Sequence, residues 1–249
     1  ETGVDEQIET LLEQLHTCDY ADETMRGVLD ALQRLVDSLA QHNYVNVDAF
    51  VRGLQERLDR ILHRRVEDAL ASFTASLDSM HADGDTPVVQ VVLRAQTLQP
   101  EPPLDMARAH WFKAFGTCLD IVLLQPRLYV TQRTLELRER SVSTHRDLLR
   151  AIPPAALQAP LRRIQAALAE AHAYAMQWLE LQLLWDAEPE SAAPADDLEA
   201  WLQLMERVRE TRTFVSAAPR RAFGLVHIDA TPAQARVAAR LDAWQAALQ

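Results

Sequence analysis

The chain has 249 residues, a formal net charge of −11 and an apolar share of 48%. That apolar share excludes a wholly disordered chain, and at this length about 70–75% of the unfolded surface can be buried, enough for one large or two small cores. No uncharged run approaches the roughly 20 residues of a membrane helix, which argues against direct membrane insertion. An acidic balance with no basic stripe argues against nucleic acid as a partner.

Helical periodicity runs through most of the chain. Ile8, Leu11, Leu12 and Leu15 form a short apolar pattern. Met25, Val28, Leu32, Leu35 and Leu39 follow at spacings of three and four, which places them on one helix face, with Asp22 as the expected N-cap and His42-Asn43 as the end. A long helix is expected after Asn46, with its stripe at Leu54, Leu58, Ile61, Leu62, Ala69, Phe73, Leu77 and Met80 and a stop at Asp83-Gly84-Asp85. Val88, Val89, Val91, Val92 and Leu93 are mostly β-branched and read as a strand between Pro87 and Pro100. Pro102-Pro103 suits a helix start, and the stripe Leu104, Trp111, Phe115, Leu119, Val122 runs up to Pro126.

Leu128, Tyr129, Val130 and Thr131 suggest a second short strand, pairing with the first across the helix between them. A helix is then expected from Thr134 to Leu149, broken at Ile152-Pro153-Pro154. The longest regular face follows, from Leu157, Leu161, Ile164 and Leu168 through Ala171, Ala175, Trp178 and Leu179 to Leu183. After a loop over Pro189–Pro194, Asp196 and Asp197 stand at a helix start, where carboxylates complement the dipole. That helix carries Leu198, Trp201, Leu202, Met205 and Val208. Phe223–Ile228 reads as one extended segment, Thr231-Pro232 as a cap and first turn, and Val237, Leu241, Trp244 and Leu248 as the last stripe. The expected fold is mainly α: an elongated multi-helix bundle with a few short β-strands. Glu1-Thr2-Gly3 look vector-derived. A first helical bundle is assigned to 4–86 and a second to 87–249, the latter with short strands near 88–98, 128–131 and 223–228. The pattern suggests a fragment of something longer.

The search for chemistry assigns no catalytic, cofactor-binding or metal residue. Six glycines cannot compose a G-x-x-x-x-G-K-[ST] or G-x-G-x-x-G loop, and the one lysine, Lys113, sits inside a helix. The eight histidines, at 16, 42, 63, 81, 110, 145, 172 and 227, include no pair at ligand spacing. Cys18 and Cys118 are far apart in sequence and read as reduced, half-buried thiols, with a pairing left open. Arg57, Arg60, Arg64 and Arg65 alternate with acids, so they read as an ion-pair-laced exposed face. Carboxylate pairs such as Glu67-Asp68 read as surface or capping charge, and the five tryptophans as core, with Trp178 and Trp185 suited in part to an interface.

Four blocks in the second half carry motifs. Tyr174, Trp178, Leu179, Gln182, Leu184, Trp185 and Asp186 fit a "Y-x-x-x-W-L-x-Y-Q-x-L-W-D" helix. Asp197, Leu198, Trp201, Arg209, Arg212 and Phe214 fit "D-L-x-K-W-x-x-L-L-x-x-I-R-K-A-R-x-x-F". Phe223, Gly224, Val226, Ile228 and Asp229 follow "F-G-P-V-V-I-D", and Gln234, Val237, Asp242 and Trp244 follow "V-Q-x-K-V-x-x-K-Y-D-S-W". In this order the blocks resemble the tail of the cytoplasmic dynein heavy chain. A weaker likeness reaches back to about Val88; the first 85 residues match in helical pattern alone. Where the family has lysine this chain has Ala or Arg, a drift that suggests the codon usage of a GC-rich genome, and Leu241 replaces a tyrosine.

The resemblance implies a structural and subunit-docking segment of the tail, with the ATPase and microtubule-binding parts elsewhere in the chain and no cofactor here. The implied partners are intermediate or light intermediate chains and adaptor or dynactin-type complexes, in the cytoplasm and on the cytoskeleton. The alternatives are a helical tether or adaptor unrelated to motors, and an enzyme whose site is gathered from distant residues.

Overall fold

Isolated helices of this length are marginal in water, so each must bury one stripe against a neighbour. The computed structural model describes residues 2–42, 45–79, 86–130, 143–192, 197–217 and 219–248. Of these, 76% are helical, with one small sheet, so the fold is mainly α with a few short strands. By its contacts the chain forms two compact units, residues 1–75 with 113–160 and residues 76–112 with 161–249.

The first unit contains α1 (Thr2–Thr17), α2 (Asp22–Gln41) and α3 (Val47–Ser79) up to residue 75. It is completed by the later part of α4 (Leu104–Leu123), the 3-10 helix His145–Arg150 and the first turns of α5 (Pro154–Leu179). From α3, Val51, Leu54, Leu58, Leu62, Val66 and Leu70 are buried, nearly all at four-residue steps. They meet Ile8, Leu12 and Leu15 of α1, Met25, Leu29, Leu32 and Val36 of α2, and Val122, Leu123, Leu148 and Ile152. Full burial of a side chain of this size contributes about 1.5–3 kcal/mol. The buried line on α2 therefore includes Leu29 and Val36, while Val28 and Leu35 are half-buried.

The second unit is organised around a four-stranded sheet in the order β2-β1-β4-β3. β1 (Val88–Arg94) and β2 (Thr97–Glu101) pair antiparallel through a two-residue turn, Ala95-Gln96, with φ of 48° and 67°. Both central residues are thus left-handed, as the tightest hairpin turns require. β4 (His227–Asp229) pairs parallel with β1, and β3 (Arg220–Ala222) antiparallel with β4. The rest of α5 leads into a 3-10 turn at Glu180–Gln182, α6 (Leu183–Asp186) and α7 (Pro189–Ala192), followed by α8 (Leu198–Ala217) and α9 (Thr231–Ala247). Val89, Val91, Tyr174, Trp178, Val208, Phe223, Ile228, Val237, Leu241 and Trp244 share one core. In this unit the Trp111 indole donates to the Leu225 carbonyl at 2.7 Å and that of Trp244 to the Leu184 carbonyl at 3.2 Å, whereas the buried Trp178 Nε1 meets no partner among the described residues.

Several expectations change. Leu128–Val130 is not a strand, because side chains take its backbone groups: Leu128 N–H donates to Gln55 at 2.9 Å and Tyr129 N–H to Gln33 at 3.1 Å. The partner of β1 on that side is β4 instead. Thr131, the expected helix over 134–142, Met80, the stop at 83–85, Asn43, Pro194 and Asp196 lie outside the described residues. Of the stretch expected to be helical up to Leu149, the described part forms a 3-10 helix, His145–Arg150. Phe223–Ile228 is no single strand: Gly224 has φ 67° and Phe223 N–H bonds the Val226 carbonyl, closing a hairpin between β3 and β4. Asp22 is the first helical residue of α2 rather than its cap, and Thr231 the first of α9; Asp229 reaches Thr231 N–H at 2.9 Å in that place. The division expected at residue 86 also differs, because Phe115, Leu119, Val122, Leu148 and Ile152 pack with the core of α1–α3, which gives residues 113–160 to the first unit.

Trp244 is 4% exposed and Leu202 55%. Trp244→Ala is expected to cost ~3–5 kcal/mol in urea unfolding followed by circular dichroism. Leu202→Ala is expected to stay within ~0.5 kcal/mol.

Candidate functional site

A dense polar cluster lies in the first unit, where α3 meets the described stretches that flank residues 131–142. Asp59 projects from α3 toward His145 of the 3-10 helix, with Nδ1 and Oδ1 3.2 Å apart. Arg127 donates to Asp59 at 3.2 Å and grips Asp147 with one guanidinium nitrogen at 2.8 and 2.7 Å. The backbone joins in: Arg127 N–H donates to the Ser143 carbonyl at 2.9 Å and His145 N–H to that of Gln125 at 3.3 Å. Gln125 itself is buried and donates to Asp22 at 2.7 Å, tying this stretch to α2.

His145 is fully buried, and its Nε2 has no hydrogen-bond partner among the described residues. Burial is the largest influence and favours the neutral ring; Asp59 pulls the other way and Arg127 opposes it. The imidazole is therefore held below the ordinary histidine range. Two further amides act as backbone clamps, since Gln33 both accepts from Tyr129 N–H and donates to its carbonyl at 2.9 Å, while Gln55 holds Leu128. Such a cluster holds a strap of irregular chain on two helices. It brings no nucleophile beside a base, and among the described residues no group of three or more His, Cys, Asp or Glu could hold a metal ion.

Of the four arginines singled out on α3, Arg57 and Arg65 tie it to α1, while Arg60 bonds the Glu56 carbonyl of its own helix. Arg57 forms two bonds to Glu9 of α1 at 2.7 and 2.8 Å, and Arg65 reaches the carbonyls of His16 and Cys18 at the end of α1 while lying over the Tyr20 ring. Tyr20 in turn donates to the Cys118 carbonyl at 2.9 Å; both cysteines are free thiols, half-buried, and burial pushes the Cys118 thiol up. In the second unit, Trp178 is buried against Phe214, and Trp185 is half-buried on the same core. Leu198 and Leu202, one turn apart on α8, are 71% and 55% exposed. A shallow groove of about 330 Å³ lies beside Leu202, Met205 and Val208. Its charges are paired within the unit, Arg209 with Glu206 and Arg212 with Asp242. Among the described residues no helix is long and apolar enough to cross a membrane.

No family model matches the chain. The cytoplasmic dynein heavy chain of Fusarium vanettenii is 31% identical over 96% of it, that of Neurospora crassa 28% over 96%, and that of Drosophila melanogaster 27% over 97%. The chain is homologous to a segment of dynein heavy chains. It spans about 6% of the length of these curated relatives. The match extends the likeness, seen by motif only from about Val88 onward, over nearly the whole chain. The dynein-like blocks are gathered by packing: Tyr174, Trp178, Phe223, Val226, Ile228, Val237 and Trp244, distant in sequence, share the core of the second unit. The polar cluster around Asp59 belongs to none of the four blocks. Its signal in the sequence is faint, a buried-face Asp, a Gln before Pro126 and a His before a short apolar pair.

Removing the Asp59 carboxylate takes away the carboxylate partner of His145 and one of the two held by Arg127. Asp59→Ala is expected to cost about 1–3 kcal/mol in chemical unfolding. Asp147→Ala, on a side chain 55% exposed, is expected to cost less than ~1 kcal/mol.

Proposed function

We propose that the chain is a structural and subunit-docking segment of a dynein heavy-chain tail, with the motor ATPase and microtubule-binding parts elsewhere in the parent protein. The observation that carries this reading is the homology, which takes in 96% of this chain and about 6% of its relatives' length. The tail assignment rests on the four motif blocks, which follow the tail pattern in order from Tyr174 to Trp244. Long helices suit such a role. A 33-residue helix such as α3 spans roughly 50 Å at 1.5 Å per residue, and packed faces transmit orientation along it. The partners in this reading are dynein intermediate or light intermediate chains and adaptor or dynactin-type complexes, in the cytoplasm and on the cytoskeleton.

The test mixes the 249-residue protein with recombinant intermediate and light intermediate chains in separate size-exclusion and calorimetry runs. At least one is expected to co-elute and titrate with a Kd of about 10 μM or tighter. Failure of both to bind would remove the docking role. Calorimetry with ATP is expected to give no saturable heat, and a saturable isotherm would overturn the placement outside the motor.

A further inference from the structure

In the first unit, residues 143–150 form a strap that closes on α3 through one fully buried imidazole. Three connections meet at that ring. Asp59 of α3 faces Nδ1 at 3.2 Å, the main-chain N–H of His145 bonds the Gln125 carbonyl, and Arg127 spans Asp59 and Asp147. Beside the ring the strap also buries Leu148, with Ile152 just after it, against the core of α1–α3. The charged groups facing the ring among the described residues are Asp59 from α3 and Arg127 from the stretch after α4; Asp147, two residues along its own turn, is held by Arg127.

The neutral ring suits this pocket in one tautomer only. With Nδ1–H donating to Asp59, Nε2 is a bare acceptor that meets no donor among the described residues. Protonation would place a second N–H at Nε2, buried and with no acceptor within hydrogen-bond distance among the described residues, and would add a cation to a pocket that already holds Arg127. Asp59 and a hydrogen bond to the Pro126 backbone favour the charged ring, and burial, joined by Arg127, outweighs them.

We propose that the 143–150 strap is an acid-sensitive latch, closed on α3 by neutral His145 and opened when that ring takes up a proton. The strap would uncover Leu148 and the adjoining face of α3 as it opens. The sign follows from linkage. In the open strap the ring is in water and titrates near 6.5, while in the closed strap it titrates lower. Between those two values the open form binds the extra proton, so opening grows by up to about tenfold per unit fall in pH. Above about pH 6.5 both forms are neutral and pH has no leverage through this group.

Hydrogen exchange of the 249-residue protein at pH 7.5 and 5.5, corrected for intrinsic rates, tests the latch. The amides of Arg127 and His145, both bonded across the strap, are expected to lose protection by about tenfold more than the amides of α9 in the second unit. His145→Asn, which keeps a donor for Asp59 and cannot be protonated, is expected to abolish that excess. Strap amides that track α9 in the wild type, or an unchanged pH response in His145→Asn, would overturn the proposal. Should the variant fail to fold, an NMR titration of the His145 ring in the wild type decides the matter. A midpoint below 6.5 that coincides with loss of strap protection upholds the latch, and one at or above 6.5 sinks it.

Discussion

A helix can hide only one stripe of side chains at a time, and α3 shows how strongly this constraint shapes the first unit. Its buried residues recur at almost unbroken four-residue steps from Val51 to Leu70. A step of four overshoots the 3.6-residue turn slightly, so the apolar line drifts slowly around the helix. Different stretches of α3 can therefore meet different neighbours, with α1, α2, the end of α4 and the 3-10 helix all sharing its core. The remaining polar work in this unit is fastening. Arg57 and Arg65 tie α3 to α1, and Gln33, Gln55 and Asp59 hold the irregular chain at 124–130 and 143–150.

In the second unit the same need to bury apolar surface is met by a sheet. Val89 and Val91 alternate onto one face of β1 and are fully buried. β1 pairs antiparallel with β2 over Gln90–Arg94 and parallel with β4 over Val88–Gln90, so the two partners share its length and overlap at Gln90. The outer side of β2 is closed to further pairing by Pro100, which lacks a donor, and by Gln182, which accepts from Leu98 N–H at 2.7 Å. A parallel pair cannot be made by a tight turn, so β1 and β4 must come from distant parts of the chain with helices between. The dynein-like residues that surround this sheet are thus kept together by packing, whatever the surface charges around them do.

The two units divide the labour of the sequence differently from the order in which it is written. Residues 113–160 complete the first core and residues 161–249 the second, although the chain passes from one to the other inside α4 and α5. Helical periodicity continues across such a passage without a break, because the local backbone is the same on both sides. The division is a property of which stripe finds which neighbour.

The sequence by itself determined the helical class, the stripes of α3, α5 and α9, the β-branched strand at Val88, and the likeness to dynein heavy chains. Each is written in local spacing or in short motifs, which need no partner to be read. Only the tertiary structure decided that Leu128–Val130 is clamped by Gln33 and Gln55 rather than paired as a strand, that β1 finds β4, and that Asp59, Arg127 and His145 meet. Gln33 and Gln55 look like ordinary helix surface in the sequence, and Asp59 like one acid in a mixed-charge run. Their roles come from neighbours 68 to 96 residues away, a distance over which no periodicity carries information, because long-range pairing is selected by burial and hydrogen-bond satisfaction in the assembled core.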